Sequence, residues 1–255
     1  MKLLSWNVNG IRAALNKGFL EWLDKEKPDM LCLQETKAEK SQLPAEAVHP
    51  PRYHTYWDSS SVKKGYSGVA LFSKEKPLKV ERGLGIPKFD AEGRVLMAEY
   101  RRFLLYNVYF PNGKMGTDRL NFKLEFYEAF LKKIDALKKK GKKIIFCGDV
   151  NTAHEEIDLT HPRANEKISG FLPIEREWID RVVKHGYLDS LREFHKESGI
   201  YSWWDLKSGA RQRNVGWRID YFFVQKELRK NLKSAFTLPE VMGSDHCPVG
   251  IEILF

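Results

Sequence analysis

The sequence is short of cysteine, of acidic charge and of any long apolar run. Cys32, Cys147 and Cys247 are its only thiols in 255 residues; an odd number in apolar settings, without zinc-type spacing, excludes a disulfide framework and a structural zinc site. They are expected as reduced core residues of a cytosolic-type compartment. Nothing approaches the roughly 20 apolar residues that a membrane-spanning helix needs. The first residues, Met1-Lys2-Leu3-Leu4-Ser5-Trp6-Asn7, enter a strand directly, with neither a basic leader nor a cleavage site, so the expectation is an intracellular protein that meets no membrane. No fixed-period repeat and no low-complexity linker occurs, and residues 1–255 are expected to form a single domain.

What is present is ample core and positive charge. Hydrophobic residues at 42% with 13% aromatic argue against disorder. Lys and Arg number 43 against 34 Asp and Glu, a formal +9, which favours an anionic partner and nucleic acid first. The plainer reading is solvated lysines, of which Lys138-Lys139-Lys140 at a helix end would be an instance.

The chemistry gathers where apolar runs stop. Ile144-Ile145-Phe146-Cys147 reads as a strand covered on both faces. Gly148 then permits close backbone approach, and strand alternation predicts that Asp149 and Asn151 project together; a turn that merely ends the strand is the competing reading. Residues 3–8 form a first strand ending in Asn7-Val8-Asn9-Gly10, and residues 30–33 a second ending in Gln34-Glu35-Thr36-Lys37. Between them, residues 19–26 show helical spacing. Strands are predicted over 66–73, 94–100 and 103–109, with Arg101-Arg102 a tight turn and Tyr109 leading into Phe110-Pro111-Asn112-Gly113-Lys114. Asp118 is predicted to cap the longest helix, closed by Gly141, and residues 174–184 form another. Residues 207–213 are basic and expected to be exposed. Trp217, Ile219 and Tyr221 alternate with Arg218 and Asp220 as in one strand with one apolar face, and Asp245-His246 precedes the closing strand, 249–254. Some ten or more strands with few helices predict two packed sheets with helices outside.

Asn7, Glu35, Tyr109, Asp149 with Asn151, and Asp245 with His246 are of the types that bind a divalent cation and a phosphodiester. Hard cations such as magnesium take oxygen ligands, usually one or two carboxylates completed by water and substrate. A phosphodiester requires a cation, a positioned water and donors to its developing charge.

Six segments, Trp6-Asn7-Val8-Asn9-Gly10, Leu33-Gln34-Glu35-Thr36-Lys37, Tyr109-Phe110-Pro111-Asn112, Gly148-Asp149-Val150-Asn151, Asn214-Val215-Gly216-Trp217-Arg218-Ile219-Asp220-Tyr221 and Gly243-Ser244-Asp245-His246-Cys247-Pro248, resemble in order the motifs of the exonuclease III family of abasic-site (AP) endonucleases. The resemblance implies a four-layer α/β sandwich of DNase I type, two mixed sheets flanked by helices, and a magnesium-dependent phosphodiesterase, manganese substituting. Its substrate would be double-stranded DNA containing abasic sites, cut on the 5′ side, with 3′–5′ exonuclease or 3′-end trimming besides. It further implies a monomer of the cytoplasm, associated with the nucleoid in a prokaryote-like cell.

Carried over by residue, Glu35 is the principal metal ligand, aided by Asn7 and Asp245, with Asp149, Asn151 and His246 as further candidates. Asp149 would activate or orient water, Asn151 hold it, Asp220 orient His246, His246 donate to the phosphate, and Tyr109 contact the phosphate or leaving oxygen. Which of Asp149, Tyr109 and His246 moves which proton stays open, as does a second metal. Trp203, Trp217 and Ile219 match the wall of a pocket for an extruded abasic sugar; Trp204 and Tyr221 are expected in the core. Asn112, Lys114, Arg211 and Asn165 match DNA-contact positions. Asn9 stands where some relatives carry aspartate, and Ile168 where several carry asparagine.

Overall fold

The computed structural model describes residues 1–207 and 209–255; Ser208, in the basic stretch 207–213, lies outside the described residues. Apolar runs become strands: β1 (Lys2–Asn7), β2 (Met30–Gln34), β3 (His54–Asp58), β4 (Val69–Ser73), β5 (Lys79–Arg82), β6 (Val95–Glu99) and β7 (Leu104–Tyr109). The second half adds β8 (Ile144–Asp149), β9 (Tyr187–Asp189), β10 (Trp203–Trp204), β11 (Gly216–Trp217), β12 (Asp220–Gln225), β13 (Leu232–Thr237) and β14 (Val249–Ile253). They build two six-stranded sheets, ordered β13-β14-β1-β2-β4-β3 and β5-β6-β7-β8-β12-β9, and a β10-β11 ribbon. Both sheets are mixed, because β1 runs parallel to β2 and β7 parallel to β8 while their other neighbours are antiparallel.

The inner faces meet through Leu3, Cys32, Leu71, Leu105, Ile145, Cys147, Phe222 and Ile251. Each fully buried aliphatic or aromatic side chain contributes about 2 kcal/mol. On the outer face of one sheet the helix Phe19–Glu26 seats Phe19 and Leu23 against Leu4, Trp6 and Phe72. On the other, the helices Thr117–Lys139 and Pro173–Lys184 cover Tyr106 and Phe146 with Phe126, Tyr127, Phe130 and Trp178. The result is the four-layer sandwich with helices outside. The three cysteines are free and buried in it.

One polar pin crosses the apolar midplane. Gln34 Nε2 donates to Asn107 Oδ1 (2.8 Å) and Ser5 Oγ (2.9 Å), and Asn107 Nδ2 donates to the carbonyls of Leu33 (3.0 Å) and Ala70 (2.8 Å). Leaving such buried groups unpaired costs about 1–3 kcal/mol each, so the pin favours one alignment of the sheets.

Three local expectations are corrected. The strand read over 66–73 begins only at Val69, because Ser67 and Gly68 turn with φ 52° and 93° and bond through their carbonyls to Lys37 and Thr36. Asp118 caps nothing: the helix starts at Thr117 after Gly116 (φ 95°), and Asp118 lies inside the first turn, where its charge faces the positive helix end. The single strand read through Trp217 to Tyr221 is two, β11 and β12. Arg218, assigned there to the polar face, is fully buried, its amide and guanidinium both bonded to Asp158.

The parallel pairs share one edge. β1, β2, β7 and β8 end at the same edge of the sandwich, where β12 and β14 begin, since Asp220 pairs with Asp149 and Val249 with Ser5. Among the described residues no helix is long and apolar enough to cross a membrane.

Candidate active site

At that edge lies a cavity of about 230 Å³. Glu35, Tyr109, Asp149, Asn151, Asp245 and His246 line its polar side, and Trp203, Trp217 and Ile219 its apolar side, with Asn9, Asn112, Lys114 and Gly170 completing the wall. Asn7 and Asp220 sit one layer behind, bonded to Glu35 and Asp149 and to His246 respectively. Arg211 and Asn165 are not part of it: the Arg211 guanidinium donates to the carbonyls of Pro239, Val241 and Ser244, and Asn165 Nδ2 to that of His161 (2.8 Å). Arg211 therefore ties a loop together in this structure.

The strand ends turn rather than continue. Asn9 N–H donates to Asn7 Oδ1 (3.0 Å) and Asn151 N–H to Asp149 Oδ1 (2.8 Å), the same Asx turn at the ends of β1 and β8. Asn9, Glu35, Lys37 and Asn151 all hold positive φ, between 45° and 56°. For non-glycine residues that backbone is strained by about 1–3 kcal/mol each, a pattern typical of functional sites. Thus Asp149 and Asn151 do converge, but through a turn and not through strand alternation. Gly148 (φ 137°) is obligatory, because a Cβ there would lie 1.9 Å from the Val108 carbonyl oxygen.

Asn7 links the two carboxylates from below. Its Nδ2 donates to Glu35 Oε2 (2.9 Å) and Asp149 Oδ2 (2.9 Å). Seated this way, Asn7 grips the acids through its amide nitrogen, while its oxygen accepts one bond from Asn9 N–H and keeps a second lone pair. Asn151 Nδ2 bonds Asp149 Oδ2 (3.1 Å) and the Phe110 carbonyl (3.0 Å), and its oxygen accepts from Asn112 (2.9 Å).

His246 is fixed by a carboxylate. Its Nδ1 lies 2.8 Å from Asp220 Oδ2, which also accepts from Ser202 Oγ (2.7 Å), while Nε2 faces Asp149 Oδ2 at 3.9 Å. Burial opposes charge on the imidazole, but Asp220, with Asp149 and Asp245 nearby, pushes its pKa up to about 10. Burial and the proximity of Asp220 raise Asp149 to about 7 despite the imidazole beside it, which suits a group that takes up a proton near neutrality. Tyr109 is raised well above the ordinary phenol value by burial, Glu35 and Asp149, against Arg94, whose guanidinium lies 4.6 Å from its ring. It stays a proton donor.

Two groups of ligand atoms compete for a cation. Asp149, Asp220 and His246 lie within 4.8 Å of one another, with His246 Nδ1 and Asp220 Oδ2 already engaged to each other at 2.8 Å. Glu35 and Asp245 supply further carboxylate oxygens on the cavity wall. Lys37 Nζ already places a positive charge 2.8 Å from Glu35 Oε1 and donates to Asn9 Oδ1, and Asn9 Nδ2 donates to Asp245 Oδ1 (2.9 Å). Burial opposes its charge, but His246 and bonds from Trp203 and Asn9 hold the Asp245 carboxyl below its usual range. The oxygens are hard ligands of the kind that magnesium prefers.

Sequence reasoning missed several supports. Trp203 Nε1 donates to Asp245 Oδ2 (3.0 Å), so the pocket wall also orients an acid. Ser244 Oγ bonds the Asn7 carbonyl (2.8 Å) and Asp245, and Trp6 Nε1 the His246 carbonyl (3.1 Å). Ser244 and Trp6 lie within the recognised motifs, which was the available signal. Lys123, on the longest helix, is fully buried and donates to the Asn151 carbonyl (2.8 Å), Thr152 Oγ1 (2.8 Å) and Glu175 (2.6 Å). Lys114 Nζ lies 5.3 Å and 5.7 Å from the rings of Trp203 and Trp217. Trp204 and Tyr221 are buried, as expected.

Comparison with known proteins agrees with this geometry. The chain is 46% identical over 255 residues to the exodeoxyribonuclease of Bacillus subtilis (strain 168), covering 99% of each. It is 43% identical to the DNA repair nuclease APEX1 of Danio rerio, covering 98% of this chain and 81% of that one. The solved 3′-5′ exonuclease NExo of Neisseria meningitidis superposes with TM-score 0.92 at 30% identity, both chains covered completely. With residues 4–246 matched by the profile of the Endonuclease/Exonuclease/phosphatase family, the chain belongs to that family of enzymes.

Proposed function

We propose that the protein is a magnesium-dependent AP endonuclease. It hydrolyses the phosphodiester 5′ to abasic sites in double-stranded DNA, leaves a 3′ hydroxyl, and acts at the same centre as a 3′–5′ exonuclease or 3′-end trimming enzyme. The observation that carries this reading is the two-sided cavity of about 230 Å³, with acids and an imidazole facing an apolar wall of Trp203, Trp217 and Ile219. An abasic nucleotide is cheap to extrude because little stacking is lost.

Glu35 and Asp245 would hold the ion, with Asn7 keeping Glu35 in place, and manganese would substitute. When bound, the ion supplies Lewis acidity toward the phosphate and charge for the departing oxygen. Asp149 takes the proton of the attacking water, and Asn151 orients Asp149 and reaches that water. His246, held by Asp220, presents Nε2–H to a phosphate oxygen, and the Tyr109 hydroxyl, which has no partner among the described residues, donates to the phosphate or leaving oxygen. Trp203, Trp217 and Ile219 receive the bare sugar, while Asn112 and Lys114 contact flanking backbone. Residues 1–255 work as one catalytic domain and as a monomer, in an intracellular setting close to DNA.

The test is a duplex carrying one tetrahydrofuran residue, beside an inositol phosphate and a sphingolipid. Cleavage 5′ to the tetrahydrofuran, abolished by EDTA and restored by magnesium, is expected. Faster hydrolysis of either small substrate would overturn the assignment.

A further inference from the structure

The end of the sandwich opposite the catalytic edge gathers basic side chains. There the β6-β7 hairpin turn presents Arg101 and Arg102, the approach to β8 presents Lys142 and Lys143, and the segment Lys226–Asn231 presents Lys230. All five line one cavity of about 590 Å³ over Tyr100 and Phe103; its acid is Glu99, paired with Lys142 at 2.6 Å. A second cavity of about 570 Å³ shares Gly141 and Lys143 and adds Lys138, Lys139 and His185 together with two acids, Asp135 and Glu227.

Among the described residues the side chains of Arg101, Arg102, Lys139, Lys143 and Lys230 make no hydrogen bond or ion pair, and all five are exposed. Unpaired cations crowded at one pole repel each other and attract condensed negative charge; phosphates along a duplex supply it with release of counterions. β8 runs from this pole at Ile144 to the catalytic edge at Asp149, a rise of roughly 17 Å at about 3.3 Å per residue. The two ends face opposite ways, so one straight duplex cannot touch both.

We propose that this basic pole is a second duplex-binding surface, through which the protein engages a new DNA segment before leaving the one at its catalytic edge. The inference rests on the proposed action on DNA. It predicts that departure from one duplex is hastened by another.

The experiment follows the full chain leaving a short fluorescent tetrahydrofuran duplex in EDTA, with increasing unlabelled duplex as competitor. For the unaltered protein the dissociation rate is expected to rise several-fold with competitor. For the triple variant Arg101→Glu, Arg102→Glu, Lys143→Glu it is expected to stay flat, with single-turnover cleavage in magnesium unchanged. A rate indifferent to competitor in the unaltered protein, or an undiminished rise in the variant, overturns the proposal. Absent cleavage alongside competitor-dependent departure would instead strike the proposed reaction and leave the basic pole standing.

Discussion

Asp149 is the residue on which most of the site converges: Asn7, Asn151 and the backbone of Asn151 bond it, and His246 faces it. Asp149→Asn keeps the shape and removes the proton acceptor. Turnover is expected to fall about 10³-fold, while affinity for a tetrahydrofuran duplex in EDTA, read by fluorescence anisotropy, stays close to that of the unaltered protein. Normal turnover in this variant would remove Asp149 from the mechanism. Residues of this kind were legible because they end apolar runs, where a charged or amide group has no packing reason to be. Lys123 was not, because a lysine on an amphipathic helix reads as solvated; only the tertiary fold shows it between Glu175 and the Asn151 carbonyl. Asn7 was legible as a site residue, but which of its two polar atoms faces the acids was not.

Among elements, the crossing from β11 to β12 depends most on buried charge. Arg218 bonds Asp158 and Asp189, and Arg192 also reaches Asp158. This holds the segment whose flanking residues, Trp217 and Ile219, wall the pocket. Burial opposes ionisation of Asp158, but the two guanidinium groups lower its pKa from 3.8 to about 2. A depressed carboxylate stabilises the fold fully above its unfolded value and loses that contribution as pH falls through the folded one. Asp158 is thus expected to contribute about 2 kcal/mol, lost between about pH 4 and pH 2. Asp158→Asn should lower stability at neutral pH by about 3–5 kcal/mol and flatten the acid limb of a denaturant-midpoint series against pH; an unaltered limb would refute the linkage. The sequence pattern here misled because alternation assigns every second residue to solvent, and Arg218 is taken inward by partners some 30 and 60 residues away. The helices Phe19–Glu26 and Pro173–Lys184, whose apolar stripes seat Phe19, Leu23, Trp178, Ile179 and Val182, were legible nearly to their ends.

For the molecule as a whole, the excess of 43 basic over 34 acidic residues sets the response to salt. Raising salt from about 50 to about 200 mM is expected to weaken duplex binding at least ~10-fold, checked by titration in EDTA; a flat response would make the basic surface incidental. The architecture was legible at this scale because apolar strands, short turns and a few amphipathic helices admit few packings. The β10-β11 ribbon was not, since each of its strands is two residues long and too short to carry a period. The Gln34, Asn107 and Ser5 pin has a further consequence. Glu35 and Asp245 belong to segments of one sheet, and Tyr109, Asp149 and Asp220 to the other, so the distances that matter for chemistry are measured across a seam. A slip of about 1 Å between such halves can cost a hundredfold in rate. Swapping an amide at the seam for a hydrocarbon would therefore register first in the clock of the reaction, in a protein that still looks folded.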